Sequence, residues 1–474
     1  MESKAKNLFC KLVVNNIYTK VITDNPEVEN LISEALSVKG KNYWFSTLYK
    51  QHLWDGKTRF YNRLTKKFPT GLLPKLINIL TSKGIIYQIE NLRKGKTGQL
   101  LQLNPKSLAG IEARDYQIQA ARICLQKDRG IVHMATNAGK TEIAALIIKS
   151  LGNPKTLFLV HRKDLLYQTK ERFEKRLQIP IRMIYADVDE NSDSPILVAT
   201  VQTLYKRIKT KKVQELLANA NLLFLDECHI LSSYSWNKVA LRCDSYYRFA
   251  LSGTPLTGDD VKDAKLVGAT GEILFKVSNQ ELIEQGYSAV PIINIIVLDE
   301  VEKYLDKVGL KYPDIYKEGI VYNEMRNRAI VNLINRKESF VIMVRLIQHG
   351  TILKELIKKE GFDVKFISGN DEIEKRLKVT KDFKENKLKV LITSTILDEG
   401  IDIPNIRNLI VAGGGKSHVK TLQRIGRGLR KKKGENILNF YDFVDKSSKY
   451  LLRHSLKRLE DYEKEGFLIK RLEM

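Results

Sequence analysis

The chain has 474 residues, which is too long for one compact core and favours two to four domains. Hydrophobic residues make up 43% of it and charged residues 28%, as in ordinary globular proteins rather than disordered ones. The sequence contains neither a run of about 18 apolar residues, which a membrane-spanning helix needs, nor a secretory signal. Its four cysteines lack the spacing of zinc ligands. We therefore expect free thiols in a reducing cytoplasm and no membrane partner.

The charge balance indicates a polyanionic partner. Lysines and arginines number 80 against 55 aspartates and glutamates, which gives a formal net charge of +25. A fold does not need this excess, whereas binding to a chain of phosphates benefits from it because each neutralised phosphate releases counterions. Charge alone does not separate DNA from RNA, and a basic protein that is merely soluble is the alternative.

The first 105 residues differ in composition from the rest. They contain more than twice as many Lys and Arg as Asp and Glu, and their aromatic residues gather between Tyr43 and Tyr61. We predict a small α+β accessory domain over residues 1–105. Its basic side chains, Lys66 and Lys67 among them, would contact nucleic-acid phosphates, while most of its aromatic residues would form its core.

Two series of short apolar runs follow this block. The first series is Gly130–Met134, Thr156–Val160, Ile196–Ala199, Leu222–Leu225 and Tyr247–Leu251. The second series is Ser339–Val344, Val364–Ile367, Val390–Ile392, Leu409–Val411 and Ile437–Phe443. Strand-length runs that alternate with helical stretches are typical of βαβ units and parallel sheets. They predict an α/β fold with one parallel-sheet domain at 106–290 and a second at 291–445.

Two further segments complete the predicted organisation. Residues 299–325 are charged and weakly patterned, which suits a connection between domains. Residues 446–474 are expected to form a helical tail. The apolar residues that would form its inner face are Tyr450, Leu451, Leu456, Leu459 and Tyr462.

The clearest local motif lies between a predicted strand and a predicted helix, which is the context of a phosphate-binding loop. Backbone N–H groups at the start of the helix would surround the phosphates of ATP, Lys140 would reach the β- and γ-phosphates, and the Thr141 hydroxyl would coordinate Mg²⁺. The proposed ATP-binding residues of the loop are Thr136, Asn137, Ala138, Gly139, Lys140 and Thr141. Met134 stands where the general pattern has Gly, so that pattern is met only in part.

An acidic pair, Asp226 and Glu227, follows the second-last apolar run of the first series. Carboxylates at the C-terminal end of a parallel strand lie where ligands bind in open α/β sheets. Asp226 would hold Mg²⁺ through its water shell, and Glu227 would orient or deprotonate the attacking water. The alternative is an acidic pair that merely starts a helix, but the position of Lys140 in the same series of runs argues against it.

A third motif contains Arg424, Arg427 and Arg430, which recur at a spacing of three and would share one face of a helix. The glycines at 426 and 428 would weaken such a helix. A solvated basic helix explains the arginines alone, whereas close approach to a nucleotide or to another domain explains both residue types.

These three motifs, in this order, resemble motifs I, II and VI of the superfamily 2 helicases, and the resemblance covers about residues 106–445. It implies two RecA-like domains in tandem and an ATPase whose catalytic residues are Lys140, Asp226, Glu227, Arg427 and Arg430. By the same resemblance Arg114, Gln117, Gly400 and Asp402 contact the nucleotide, with Gln117 reading the base. The implied nucleic-acid contacts are His161, Arg162, Thr200, Gln202, Thr203 and Thr395, and Ser252-Gly253-Thr254-Pro255 would couple hydrolysis to domain movement.

The N-terminal sequence narrows the resemblance. Leu53-Trp54-Asp55-Gly56-Lys57 and Phe68-Pro69-Thr70-Gly71-Leu72-Leu73, ahead of such a core, are similar to the UvsW-type phage recombination helicases, which are relatives of the XPB-like helicases. This similarity implies an ATP- and Mg²⁺-dependent DNA helicase or translocase that unwinds or branch-migrates forks, Holliday junctions or R-loops. Its partners would be duplex and branched DNA, a single strand in the motor groove, and recombination or replication proteins.

Three alternatives stay open at this point. An RNA helicase would share the same motifs, and so would a translocase subunit that moves along duplex DNA without unwinding it. A DNA-binding scaffold with an inactive ATPase is disfavoured, because the expected catalytic residues are all present.

Overall fold

A computed structural model of the chain describes residues 8–96, 100–135, 138–190, 192–227, 234–298, 303–394, 406–415 and 436–473. The chain folds as two units, the first made of Met1–Met134 and Gly139–Lys276 and the second of Ala135–Ala138 and Val277–Met474. Within the described ranges, no helix is both long and apolar enough to cross a bilayer.

The N-terminal part of the first unit is a small α+β domain. Its elements are β1 (Phe9–Val14), β2 (Tyr18–Ile22), α1 (Pro26–Ala35), β3 (Ser37–Lys39), α2 (Thr47–Lys50), β4 (Lys57–Arg59), β5 (Lys67–Pro69), α3 (Leu73–Ser82) and β6 (Ile86–Asn91), with 3-10 turns at Tyr43–Phe45 and Thr70–Leu72. The order of the four-stranded sheet is β5-β2-β1-β6, and β3 pairs with β4 as a separate hairpin. In β1 every second residue is buried, so one face of the sheet packs against a core that includes Ile32, Phe68 and Leu76.

The rest of the first unit is an eight-stranded sheet flanked by helices. Its elements are α4 (Asp115–Lys127), β7 (Arg129–Met134), α5 (Lys140–Ser150), β8 (Thr156–Val160), α6 (Lys163–Leu177), β9 (Arg182–Tyr185), β10 (Val188–Asp189), β11 (Ile196–Thr200), α7 (Val201–Lys206), α8 (Lys211–Asn219), β12 (Leu222–Asp226), α9 (Tyr234–Ala240), β13 (Tyr247–Ser252), α10 (Asp260–Ala269) and β14 (Ile273–Val277). The strand order is β10-β9-β11-β8-β12-β13-β7-β14. Every residue of β8, β11 and β13 is buried, as expected for parallel strands covered on both faces.

The N-terminal domain is docked tightly on this sheet domain. A Cβ added at Gly71 would lie 1.9 Å from the carbonyl oxygen of Val267 on α10, so only glycine allows this approach. Asn16 donates hydrogen bonds to the carbonyl oxygens of Lys94 and Asp244, and Arg129 at the start of β7 donates to the carbonyl oxygen of Asn16. Val267 also packs against the apolar core of the N-terminal domain, so the two parts of the first unit share a polar and an apolar contact.

The second unit contains a seven-stranded sheet. Its elements are α11 (Asn279–Glu284), β15 (Val290–Val297), α12 (Tyr312–Tyr316), α13 (Glu324–Asn332), β16 (Phe340–Met343), α14 (Ile347–Lys359), β17 (Val364–Ile367), α15 (Ile373–Lys384), β18 (Val390–Thr393), β19 (Asn408–Val411), β20 (Ile437–Val444), α16 (Lys449–Lys464) and β21 (Leu468–Glu473), with a 3-10 turn at Tyr304–Val308 and a π-helical turn at Lys317–Val321. The order is β17-β18-β16-β19-β20-β15-β21, and all recorded pairs in it are parallel.

The predicted fold class is confirmed: two RecA-like parallel-sheet domains follow a small α+β domain. Each of the ten apolar runs is a strand. Two of the finer predictions are wrong. Residues 303–325 do not connect the two domains, because they follow β15 within the second unit. There Leu305, Ile315 and Ile320 pack in one cluster with Leu451 of α16. The tail is not wholly helical, since it ends in β21, which pairs with β15.

The inner face of the tail helix also differs from the prediction. Leu451 and Tyr462 are buried, but Tyr450 and Leu456 are exposed. The buried positions between them are polar: Arg458 donates to both carboxylate oxygens of Asp442, at 2.7 and 3.0 Å. The spacing of apolar residues does not predict a helix face whose buried contact is an ion pair.

The close approach at Gly71 makes a stability prediction. Gly71→Ala should push the N-terminal domain away from α10 and lower the free energy of unfolding by about 1–3 kcal/mol, as overpacking usually does. Thermal unfolding followed by circular dichroism measures this change. Gly369→Ala is the matched control, because a Cβ there meets no atom within 4 Å. Equal midpoints for the two variants would contradict the docking described above.

Candidate nucleotide-binding and catalytic site

The predicted phosphate loop lies between β7 and α5, at the C-terminal edge of the first sheet. Gly139 is the N-cap of α5 and has a φ of +81°, in the left-handed region that favours glycine. A Cβ at this position would also lie 2.2 Å from Nε2 of Gln117. Both constraints explain why glycine precedes Lys140, whose backbone opens the helix. Thr136 and Asn137 of the loop lie outside the described residues.

The predicted base-reading residue lies beside this loop. Gln117 is buried on α4, and its Oε1 accepts a hydrogen bond of 3.0 Å from the backbone N–H of Arg114. This contact fixes the carboxamide so that its Nε2 is directed toward Gly139. Arg114 in turn donates to the hydroxyl of Tyr116 at 2.7 Å. The two segments singled out for nucleotide binding are therefore adjacent in space.

The acidic pair ends β12, which is separated from β7 only by β13. Because these strands are parallel, their C-terminal ends share one edge of the sheet. Glu227 has a φ of +50° and donates its backbone N–H to Oδ1 of Asp226 at 3.0 Å. A left-handed, non-glycine residue costs about 1–3 kcal/mol, and such strain gathers at functional sites.

One ion pair joins the two motifs. The Nζ of Lys140 lies 3.5 Å from Oε1 of Glu227, and both side chains are mostly buried. Burial and the neighbouring Glu227 carboxylate raise the pKa of Asp226 to about 7, although Lys140 opposes this rise. Two carboxylates that repel each other in a partly buried place are suited to a divalent cation, which would relieve the repulsion. The donor set thus fits Mg²⁺, with Thr141 on the same helix turn as Lys140.

An acidic residue that would repel phosphate is neutralised nearby. Glu142 lies in the first turn of α5, and its Oε1 is 3.7 Å from Nε of Arg172 and 3.9 Å from Nε of Arg176, both on α6. These contacts leave the start of α5, where N–H groups point outward, favourable for an anion.

A histidine that the sequence did not single out links the phosphate-loop strand to the predicted coupling motif. His133 on β7 pairs in register with Ser252 on β13, and its Nε2 lies 3.0 Å from the carbonyl oxygen of Gly253. The Ser252 hydroxyl accepts a hydrogen bond of 3.1 Å from the backbone N–H of Thr254. The turn that ends β13 is therefore attached to the strand that leads into the phosphate loop.

The predicted nucleic-acid contacts of the first unit fall into two groups. Gln202 is exposed, and its Nε2 donates to the carbonyl oxygen of His161 at 3.1 Å, which brings two of the motifs together. Thr200 and Thr203 are buried, and their hydroxyls lie 2.8 Å apart. In this structure the two threonines thus hold the turn after β11 in place, while Gln202 is the residue of this motif open to a ligand. Arg162 lies 3.6 Å from Asp164.

The remaining site predictions are distributed as follows. Lys66 is at a turn with a φ of +54°, and Lys67 is exposed at the start of β5. The other predicted residues, namely Thr395, Gly400, Asp402, Arg424, Arg427 and Arg430, lie outside the described residues.

Comparison with known families matches two models. Residues 110–257 match the family described as "Type III restriction enzyme, res subunit", and residues 325–432 match "Helicase conserved C-terminal domain". The first range contains Gln117, Lys140 and Glu227, which are residues of the candidate site described above.

Individual relatives agree with these matches. The chain is 28% identical to the "ATP-dependent DNA helicase uvsW" of Enterobacteria phage T4, over 92% of this chain and 93% of the relative. It is 29% identical to the "DNA 3'-5' translocase XPB2" of Sulfurisphaera tokodaii, over 69% of this chain and 81% of the relative. Among solved structures, Dbp5 of S. cerevisiae bound to RNA and ADP BeF3 has the same fold, with a TM-score of 0.54 at 20% identity over 77% of this chain and 90% of Dbp5.

The Lys140–Glu227 contact leads to a prediction. Lys140→Ala removes the cation that would meet the β- and γ-phosphates, so ATP turnover should fall by about 10²–10³-fold, the usual loss for one preorganised donor. Steady-state phosphate release measures this loss. Lys149→Ala, in the last turn of the same helix, is the matched control and should retain wild-type turnover. Normal turnover in Lys140→Ala would remove the loop from the site.

Proposed function

We propose that this chain, which is an ATP-dependent superfamily 2 helicase or translocase of the UvsW type, unwinds or branch-migrates branched DNA such as forks, Holliday junctions or R-loops. The observation that carries the ATPase part is the ion pair between Lys140 and Glu227 at the edge of the first parallel sheet. The choice of DNA is supported by the relative from phage T4, which is named an ATP-dependent DNA helicase and whose similarity covers 92% of this chain. The choice of branched DNA rests on the resemblance of the N-terminal sequence motifs to the UvsW-type recombination helicases.

The proposed chemistry assigns each residue one task. Lys140 would bind the β- and γ-phosphates, and Thr141 with Asp226 would hold Mg²⁺, which when bound neutralises the charge that develops on the transferred phosphoryl group. Binding of the cation and the phosphates would draw Lys140 away from Glu227, since the phosphate oxygens carry more negative charge than one carboxylate. Glu227 would then be available to accept a proton from the attacking water.

The arginines of the third motif complete this proposal. Arg427 and Arg430 would contribute positive charge to the γ-phosphate, as the resemblance implies, and Gly400 and Asp402 would lie near the nucleotide. Coupling to movement would depend on the turn after β13, because His133 attaches that turn to the strand entering the phosphate loop.

The net charge of +25 indicates a polyanionic partner, and the excess of basic residues in the N-terminal domain supports a nucleic acid in that role. Its lysines at 66 and 67 lie at the turn into β5, where Lys67 is exposed. We propose duplex DNA as the ligand of this turn. Since the relative named above belongs to a phage of enterobacteria, we also propose the cytoplasm of an infected or bacterial cell as the location.

Two other functions are each favoured by one observation. The fold is shared with Dbp5, whose structure holds RNA, and this favours an RNA substrate. The match of residues 110–257 to a restriction-enzyme subunit favours a translocase that does not unwind. ATPase stimulation by DNA against RNA tests the first alternative, and strand separation on a fork against a linear duplex tests the second.

Glu227 provides a test that separates binding from chemistry. Glu227→Gln keeps the size and the hydrogen-bonding capacity of the side chain but removes the base, so ATP should bind while single-turnover hydrolysis slows by about 10²–10⁴-fold. Rapid-quench hydrolysis and nucleotide binding, measured side by side, give the two quantities. Glu215→Gln on α8, an exposed site, is the control. Wild-type single-turnover rates in Glu227→Gln would exclude Glu227 as the base.

The basic turn of the N-terminal domain provides a second test. Lys66→Glu/Lys67→Glu should weaken junction binding equally for all sequences, because phosphate contacts carry no sequence information. The slope of log affinity against log salt should become shallower by about 0.9 for each phosphate that the variant no longer neutralises. Fluorescence anisotropy at several salt concentrations measures both.

The control for this test is a second pair of adjacent lysines. Lys358 and Lys359 are exposed in the last turn of α14, and reversing both charges changes the net charge by the same amount. If both double variants lower affinity alike, the effect is one of overall charge, and the turn at 66–67 is not a specific contact.

A further inference from the structure

The N-terminal domain exposes large apolar side chains on one short segment. The side chains concerned, which we call the aromatic tip, are Trp44 (50% exposed), Phe45 (70%), Leu48 (54%) and Leu53 (73%). Single exposed apolar residues are ordinary, but four within ten positions form a patch that usually marks a binding surface. None of the four belongs to the core cluster of this domain.

The tip is held in place by a frame of its own. The rings of Trp44 and Phe45 are 5.9 Å apart, and the backbone N–H of Leu53 donates to the carbonyl oxygen of Leu48 at 2.9 Å. The tip sits between β3 and β4, where Gly40 donates to the Gly56 carbonyl oxygen at 3.0 Å. The tip is therefore presented by a closed hairpin rather than by an open loop.

Three further aromatic residues, Tyr43, Tyr49 and Trp54, have a different role from those of the tip. Tyr43 packs edge-on against Tyr49 with ring centroids 4.7 Å apart, and a Cβ on Gly56 would lie 2.5 Å from the Tyr43 ring. The indole N–H of Trp54 donates to the carbonyl oxygen of Lys57 at 2.8 Å. Tyr43 and Trp54 thus build the support, and Trp44 and Phe45 project from it.

The charge around the tip has one sign. Residues 39–53 contain three lysines and a histidine but no Asp or Glu. The acidic residues nearest to the tip are paired: Glu34, at the end of α1, contacts Lys57 and Arg59, and Asp55 also contacts Arg59. Lys41 and Lys50, in contrast, are exposed and flank the apolar side chains.

Apolar faces among lysines are complementary to single-stranded nucleic acid. Aromatic side chains stack on bases, and lysines contact the phosphates between them. In a duplex the faces of the bases are stacked on each other, so only unpaired bases can reach the tip. We propose that the aromatic tip stacks on unpaired bases at a junction between single-stranded and duplex DNA, and so keeps separated strands apart while the motor advances. This proposal rests on the proposed function, because it takes branched DNA as the substrate.

The test compares two DNA ligands for the full-length chain. Trp44→Ala/Phe45→Ala should weaken binding to a fork with single-stranded arms by about tenfold for each stacking side chain removed. Binding to a blunt duplex of equal length should not change, and neither should the salt slope, because every lysine that meets a phosphate is retained. Lys41→Gln/Lys50→Gln should also weaken fork binding, but here the salt slope should become shallower by about 0.7 for each phosphate of a single strand that is no longer neutralised.

Two controls keep the test interpretable. Leu64→Ala removes another apolar side chain that is 96% exposed in the same domain and should leave fork binding unchanged. Trp44→Phe keeps an aromatic face and should retain fork affinity. Of the three tryptophans, Trp236 is buried and Trp54 is hydrogen-bonded, so quenching of fluorescence by an unpaired oligonucleotide should be largely abolished in Trp44→Phe.

The results that overturn the proposal are distinct from those that overturn the function. Wild-type fork affinity in a folded Trp44→Ala/Phe45→Ala variant would overturn the proposal. If that variant bound forks normally but lost self-association or binding to anionic phospholipid vesicles that the wild type shows, the tip would be a surface for a second copy or for a membrane instead. Absence of any DNA-stimulated ATPase in the wild type would instead overturn the proposed function.

Discussion

The structure depends on one electrostatic constraint: two adjacent carboxylates must be kept at the end of a buried strand. Alone, Asp226 and Glu227 repel each other, and burial raises the pKa of Asp226 to about 7. Lys140 reaches Glu227 from the neighbouring motif at 3.5 Å and offsets part of that repulsion. This contact requires β7 and β12 to be parallel and only one strand apart, and it requires a glycine before the helix that begins at Lys140. The strand order, the loop before α5 and the acidic pair therefore depend on one another.

Much of the fold can be predicted from the sequence because buried parallel strands are apolar along their whole length. Some strands of the two sheets are not continuous apolar runs, and the pattern therefore misses them. Only one residue of β14 is fully buried and β21 is mostly exposed, so neither forms a continuous apolar run, and β15 has a proline at its second position. Residues 303–325 resemble an interdomain connection in sequence because their apolar residues pack against distant parts of the chain, among them Leu451 of α16, more than a hundred residues later. Local patterns carry no information on such long-range packing.

The residues of the candidate site also divide into those that a local motif predicts and those that only the folded chain reveals. Lys140 and Glu227 can be found from the sequence because phosphate and metal chemistry demands these residue types in a fixed context, and the structure brings them together. No local motif marks His133, whose partner Gly253 is 120 residues away, so its role emerges only from the register of β7 and β13. Thr203 shows the limit of a motif in another way. The motif predicts a nucleic-acid contact at this position, and the structure adds a role in holding the turn, because the Thr203 hydroxyl lies 2.8 Å from that of Thr200 and accepts a hydrogen bond from the N–H of Ala186.

The N-terminal domain is not an independent module, because it shares buried contacts with the first sheet domain. Its Asn16 meets Arg129 at the first residue of β7, and its Arg93 lies 3.2 Å from Asp128, which also accepts a hydrogen bond from Tyr246. Cutting the chain at residue 105 would remove the hydrogen bond of Arg129 to Asn16 and the ion pair of Asp128 with Arg93, and would leave Asp128 with Tyr246. Each buried polar group that loses its partner costs about 1–3 kcal/mol. A truncated chain without ATPase activity would therefore report damage to β7 rather than the removal of a DNA-binding surface. If the N-terminal domain holds DNA as proposed, the same connection would transmit a force on that DNA to β7, the strand that leads into the predicted phosphate loop.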